Sequence, residues 1–190
     1  AEKTKPTNIR IKLECGNSVE VVTFNFLEMM RSLLSDPYCM HDDNLTFPSD
    51  DPLQGPINDD YRNEIHTGSW YKDAWKRRCT HENDFLLALP IFIDSSNTDV
   101  LGKNKIEPVQ FTLSIFKRKC RRNFNFWRPL GFINDLSSAK LYEEVDSDGE
   151  TVHQIQRDSD SKIRDYHRML CPIFQSLKCV QDKGGFHFDL

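Results

Sequence analysis

From Phe85 to Ile93 the chain reads Phe-Leu-Leu-Ala-Leu-Pro-Ile-Phe-Ile, apolar throughout with Pro90 as its one interruption, and it stops abruptly at Asp94. A short apolar run bounded by polar residues predicts a strand buried on both faces. Such a strand needs neighbours, and two candidates follow. After a polar stretch from Ser95 to Lys105, with Gly102 as a turn former, Val109 to Phe116 places Val109, Phe111, Leu113 and Ile115 on one face. Beyond a basic loop, Phe126 to Ile133 predicts a third strand. The expectation is a three-stranded antiparallel meander with its first strand central.

The flanking segments add helices and a hairpin. Ile9 to Leu13 alternates apolar and polar residues, Gly16-Asn17 signals a turn, and Val19 to Val22 is again β-prone. Phe24, Leu27, Met30, Leu33 and Leu34 recur at helical spacing. Asp36-Pro37 ends that helix, because a residue before proline avoids the α region. Asp42 to Asp60 is polar and acidic, with Pro48, Pro52, Gly55 and Pro56, and reads as a solvated connector. Tyr61 to His81 carries Trp70, Tyr71 and Trp75 and predicts a helix after Gly68, with Ser69 as its N-cap. Ser137 to Ser161 reads as a loop with a little local structure. Ile163, Tyr166, Met169, Leu170, Ile173, Phe174, Leu177 and Val180 then mark an amphipathic helix of about 20 residues. Pro172 is expected to kink or split it, and Gly184-Gly185 to stop it. Phe186 to Leu190 looks like the start of a further strand. The fold class is α+β. Residues 1–60 form a lead-in of hairpin, helix and acidic Pro-rich linker, and residues 61–190 carry the sheet.

Composition narrows the function classes. The 190 residues are 38% hydrophobic and 28% charged, a globular balance, and a domain of about 150 residues hides roughly 70% of its unfolded surface. No apolar run approaches the ~20 residues of a membrane helix, so no membrane partner is expected. The opening Ala-Glu-Lys-Thr-Lys-Pro has no apolar core behind its charges, so a signal peptide is not expected, and without an initiator Met the chain is expected to be a fragment or a processed piece. The six cysteines are scattered with no C-x-x-C, so reduced thiols and a cytosolic or nuclear location are expected. A net charge of -4 excludes a globally basic nucleic-acid binder. Any such contact must come from local clustering.

Two features carry candidate chemistry. Asp94, beside Ser95, Ser96 and Thr98, closes the apolar strand. A carboxylate on so rigid a support suits a metal ligand for phosphoryl transfer; the alternative is a side chain that caps the following turn. Asp99 is a weaker candidate of the same kind. Lys117, Arg118, Lys119, Arg121, Arg122 and Arg128 form a basic cluster interleaved with Phe124, Phe126 and Trp127. The cations suit DNA phosphates and the aromatics an unpaired base; the alternative is a solvated loop whose aromatics fill the core. Lys103 and Lys105 lie at the opposite end of a meander and do not extend this patch. His66, Cys79 and His81, with Cys15 or Cys39, match no standard zinc spacing. His167 reads as a structural residue beside the helix stripe. No G-x-x-x-x-G-K-[ST], G-x-S-x-G or H-E-x-x-H occurs.

An ordered series of segments from Leu45 onward resembles transposases of the CACTA type and the related Plavaka group. It comprises Leu89 to Asp99, Gly102, Glu107 to Phe116 and Trp127 to Ile133, flanked by Glu64 to Tyr71, Asp165 to Leu170 and Gly184-Gly185-Phe186. The chain departs from the group at Ser95-Ser96, where Gly-Thr is usual. The resemblance implies an RNase H-like fold with a DDE/D site, in which three carboxylates hold two divalent ions, Mg2+ or Mn2+, for cutting and joining DNA. Asp94 matches the first carboxylate by position; the others are expected beyond this chain, which leaves residues 61–190 as the first half of that domain. DNA at transposon ends, a nuclear location and an open choice between monomer and homo-oligomer follow from the same resemblance. The rival expectations are a non-catalytic DNA- or protein-binding relic or domesticated domain, and a structural domain whose Asp94 only caps a turn.

Overall fold

A computed structural model describes residues 4–14, 16–46, 65–81, 84–94, 96–97, 105–134, 143–145, 151–154 and 159–186. Strands β1 (Thr7–Lys12), β2 (Ser18–Thr23), β3 (Ile91–Ile93), β4 (Ser96–Asn97), β5 (Lys105–Phe111) and β6 (Arg128–Asn134) share one sheet, in the order β1-β2-β6-β5-β3, with β4 paired to β5. β7 (Glu143–Val145) and β8 (Thr151–Gln154) form a separate antiparallel hairpin. The helices among the described residues are α1 (Phe26–Leu34), α2 (Ser69–Arg78) and α3 (Ser159–Asp182). The fold is α+β, with an antiparallel sheet of five strands along its main path and three helices.

Several expectations need correction. The apolar run after Phe85 is neither central nor fully buried: β3 is an edge strand of three residues, and Ile91, Phe92 and Ile93 are 42%, 49% and 36% exposed. Pro90 explains the short span. Its carbonyl accepts from Thr112 N–H at 3.0 Å, but proline has no N–H to return the bond. The N-terminal hairpin also enlarges the sheet beyond three strands, because β2 pairs with β6. Gly68, not Ser69, is the N-cap of α2, and no side chain caps it. Pro172 does not split α3, which runs unbroken from Ser159 to Asp182. Gly184 and Gly185 do end it, with φ of +80° and +128°, values that glycine adopts freely. Of the further strand expected from Phe186 to Leu190, residues 187–190 lie outside the described residues.

The described residues divide into two compact units. The first is drawn from Ala1–Glu28, Ile93–Val109 and Pro129–Asp189. Here β1 and β2 pair from Thr7↔Thr23 to Lys12↔Ser18, and Val22↔Phe132 and Thr23↔Gly131 join β2 to β6. Helix α3 packs on the hairpin, and its Met169 and Ile173 are buried. A polar seam fixes its register. Glu14 N–H donates to buried Asp165 at 2.8 Å, and the Glu14 carboxylate takes Arg164 at 2.7 and 3.0 Å and Arg168 at 3.3 Å. Ser176 Oγ accepts from Phe26 N–H at 3.0 Å, and Tyr166 donates to Glu107 at 2.8 Å. Burial first, then that carboxylate, pushes the Tyr166 phenol up to about 12.

The hydrogen bond from Arg164 holds the Glu14 carboxyl below its ordinary value of 4.5. As pH falls the unfolded chain therefore binds this proton first. The stabilisation is complete above the ordinary value and is lost as pH drops through the lower, folded-state value. Thermal midpoints across this acid range are expected to fall more steeply for the wild type than for Glu14→Gln. Parallel curves would remove Glu14 from the acid response.

The second unit is drawn from Met29–Phe92 and Gln110–Arg128. Residues 110–116 are its spine. Thr112 and Ser114 donate to Pro90 and Ala88 on one side, both at 3.0 Å, while Thr46 N–H reaches Ile115 O at 2.7 Å on the other. Enclosure from both sides buries Thr112 and Ser114 along with Phe111, Leu113 and Phe116. Tyr71 of α2 is fully buried and donates to Leu86 O at 2.5 Å, and Trp75 meets the Phe85 ring edge-on at 5.7 Å.

Candidate nucleic-acid interface

Past Phe116 the spine leaves the core and winds through two 3-10 turns, Cys120–Arg122 and Phe124–Phe126. The first closes with Cys120 N–H on Lys117 O at 2.8 Å. The second is capped by the Asn123 side chain, which accepts from Asn125 N–H at 3.0 Å, and closes with Trp127 N–H on Phe124 O at 3.0 Å. Each turn is pinned by one buried residue. Cys120 is 6% exposed and directs its thiol to Asn44 Oδ1 at 3.3 Å. Phe126 is 2% exposed and packs its ring 5.0 Å from Phe116 and 5.7 Å from Tyr38.

This winding divides the six basic residues into two sets. Arg128 is turned inward: it bonds Ser32 Oγ at 2.9 Å, Asn125 O at 2.8 Å and Trp127 O at 3.0 Å, and pairs with Asp36 at 3.3 Å. Arg121 reaches Phe116 O, and its own carbonyl accepts from the Trp127 indole at 2.7 Å. Lys117 Nζ donates to Asp43 O at 3.0 Å. All three cations donate to backbone carbonyls of the turns or of the segments beside them. Arg118, Lys119 and Arg122 are exposed at the surface. The aromatics divide the same way: Phe126 fills the core, Phe124 is 83% exposed, and Trp127 is half-buried with its ring 6.1 Å from that of Phe92. No charge pattern foretold which arginines would turn inward; the buried neighbours Cys120 and Phe126 decide it.

Asp94 stands exposed just after β3, in the other unit. No group of three His, Cys, Asp or Glu side chains able to hold a metal ion occurs among the described residues. A site for Mg2+ or Mn2+ needs several oxygen ligands, and the described residues do not assemble one at Asp94. His66, Cys79, His81 and Cys39 likewise form no such group. Burial first, then Asp36, pushes the Cys39 thiol up to about 11, and burial also raises Cys79. Cys15, Asp99 and Lys103 lie outside the described residues. No helix among the described residues is long and apolar enough to cross a membrane. Comparisons with family models, with curated proteins and with solved structures found no match to this chain.

Proposed function

We propose that this chain is part of a transposase of the kind it resembles, and that its described residues hold DNA. The observation that carries this reading is the division of the basic cluster. Lys117, Arg121 and Arg128 lock the turns to the core, while Arg118, Lys119 and Arg122 stay exposed on the scaffold so made. Cations on a rigid support contact phosphates at a smaller entropic cost than those on a free loop. Phosphate neutralisation supplies affinity without sequence information. In this reading Asp94 is reserved for metal in the intact DDE site and takes no part in holding DNA. A domesticated DNA-binding domain would use the same surface and differ only in having no role for Asp94.

The test is DNA affinity at low salt for three forms of the chain. Replacing Arg118, Lys119 and Arg122 together by Gln is expected to weaken binding about tenfold or more, while Asp94→Ala binds like the wild type. Loss of binding in Asp94→Ala with no change in the triple variant would reverse the assignment.

A further inference from the structure

We infer that this surface takes an unpaired strand rather than closed duplex, with Phe124 as the platform on which a base stacks; the inference rests on the reading of the surface as a DNA contact. At 83%, Phe124 is the most exposed of the large hydrophobic side chains described. Its position is not loose. The Asn123 cap, the Trp127 N–H on the Phe124 carbonyl and the buried Phe126 ring all hold the turn that carries it. The turn immediately before it ends in Arg122, and Lys119 opens that turn, both exposed.

Phosphate contacts alone do not discriminate between one strand and two. An exposed phenyl face does, because it is covered best by the face of a base, and that face is hidden inside a duplex. Every base has such a face, so the preference is for strandedness rather than for sequence. Half-buried Trp127 and half-exposed Phe92, edge-to-face at 6.1 Å, add aromatic surface within the same unit.

The experiment uses the full chain with a fluorescent oligothymidylate of about 16 nucleotides and a mixed-sequence duplex of the same length. The forms compared are wild type, Phe124→Ala, Phe124→Trp and the Arg118/Lys119/Arg122→Gln triple variant. The wild type is expected to bind the single strand more tightly. Phe124→Ala should weaken that binding about fivefold or more and leave the duplex unchanged, while Phe124→Trp retains it. Equal affinity of Phe124→Ala and wild type for the single strand would overturn the stacking role. If duplex binding meanwhile remains salt-dependent and sensitive to the triple variant, the charged surface stands and only stacking falls. If neither oligonucleotide binds at low salt, both readings fall together, and the exposed cations would then be better matched to an acidic protein segment.

Discussion

Phe126→Ala is expected to lower stability by about 3–5 kcal/mol, whereas Phe124→Ala, two residues earlier, should change it by less than about 0.5 kcal/mol. The two rings belong to one 3-10 turn and differ only in what they touch. Phe126 is 2% exposed and lies between the Phe116 and Tyr38 rings. Truncating it opens a cavity that its ring neighbours cannot fill without moving the spine at Phe116. It also loosens the carbonyl of Asn125, which accepts from Arg128 at 2.8 Å and from the Cys39 thiol at 3.4 Å. Phe124 is 83% exposed, so its removal leaves no void. Urea unfolding of both variants measures the contrast, and equal losses would contradict the assignment of one ring to the core and the other to a ligand.

Gly131→Ala is expected to cost about 3 kcal/mol or more through overpacking. A Cβ at this position would lie 2.5 Å from the Val22 carbonyl oxygen and 2.7 Å from Ile173 Cγ1. The carbonyl belongs to β2 and cannot retreat without breaking the ladder to β6, where Val22 pairs with Phe132. The absence of a side chain at 131 is therefore what lets Ile173 of α3 settle on β6. Thermal unfolding of Gly131→Ala tests this. Removing both facing atoms, Cγ1 and Cδ1, in Gly131→Ala/Ile173→Ala should leave most of the Gly131→Ala loss in place when measured against Ile173→Ala alone, because the backbone oxygen remains in the way. Full recovery in the double variant would place the obstruction on Ile173 alone.

Local features of this fold were legible in the sequence where short-range chemistry dictates them. Gly16, with φ of +87°, sits in the turn that the alternating runs on either side imply. Asp36-Pro37 closes α1, and Met169 and Ile173 of the α3 stripe are buried. Pairing choices were not legible. Alternation tells which face of a strand is apolar but not which strand lies beside it, so it leaves the junction of β2 with β6 undetermined. The apolar run before Asp94 misled for a related reason: Pro90 removes a donor from the ladder and leaves β3 short and at the edge. The site was half legible. Position and number of the cations came from the sequence, but Arg121 and Arg122 are neighbours with opposite fates, and only the burial of Cys120 and Phe126 separates them.

The salt dependence of DNA affinity probes the claim of a phosphate-binding surface most directly. Each lost phosphate contact should lower the slope of log K against log salt by about 1. The Arg118/Lys119/Arg122→Gln triple variant is thus expected to have a slope shallower than that of the wild type by about 3, with Asp94→Ala parallel to the wild type. Coincident slopes for the wild type and the triple variant, over a range in which both bind, would contradict the account.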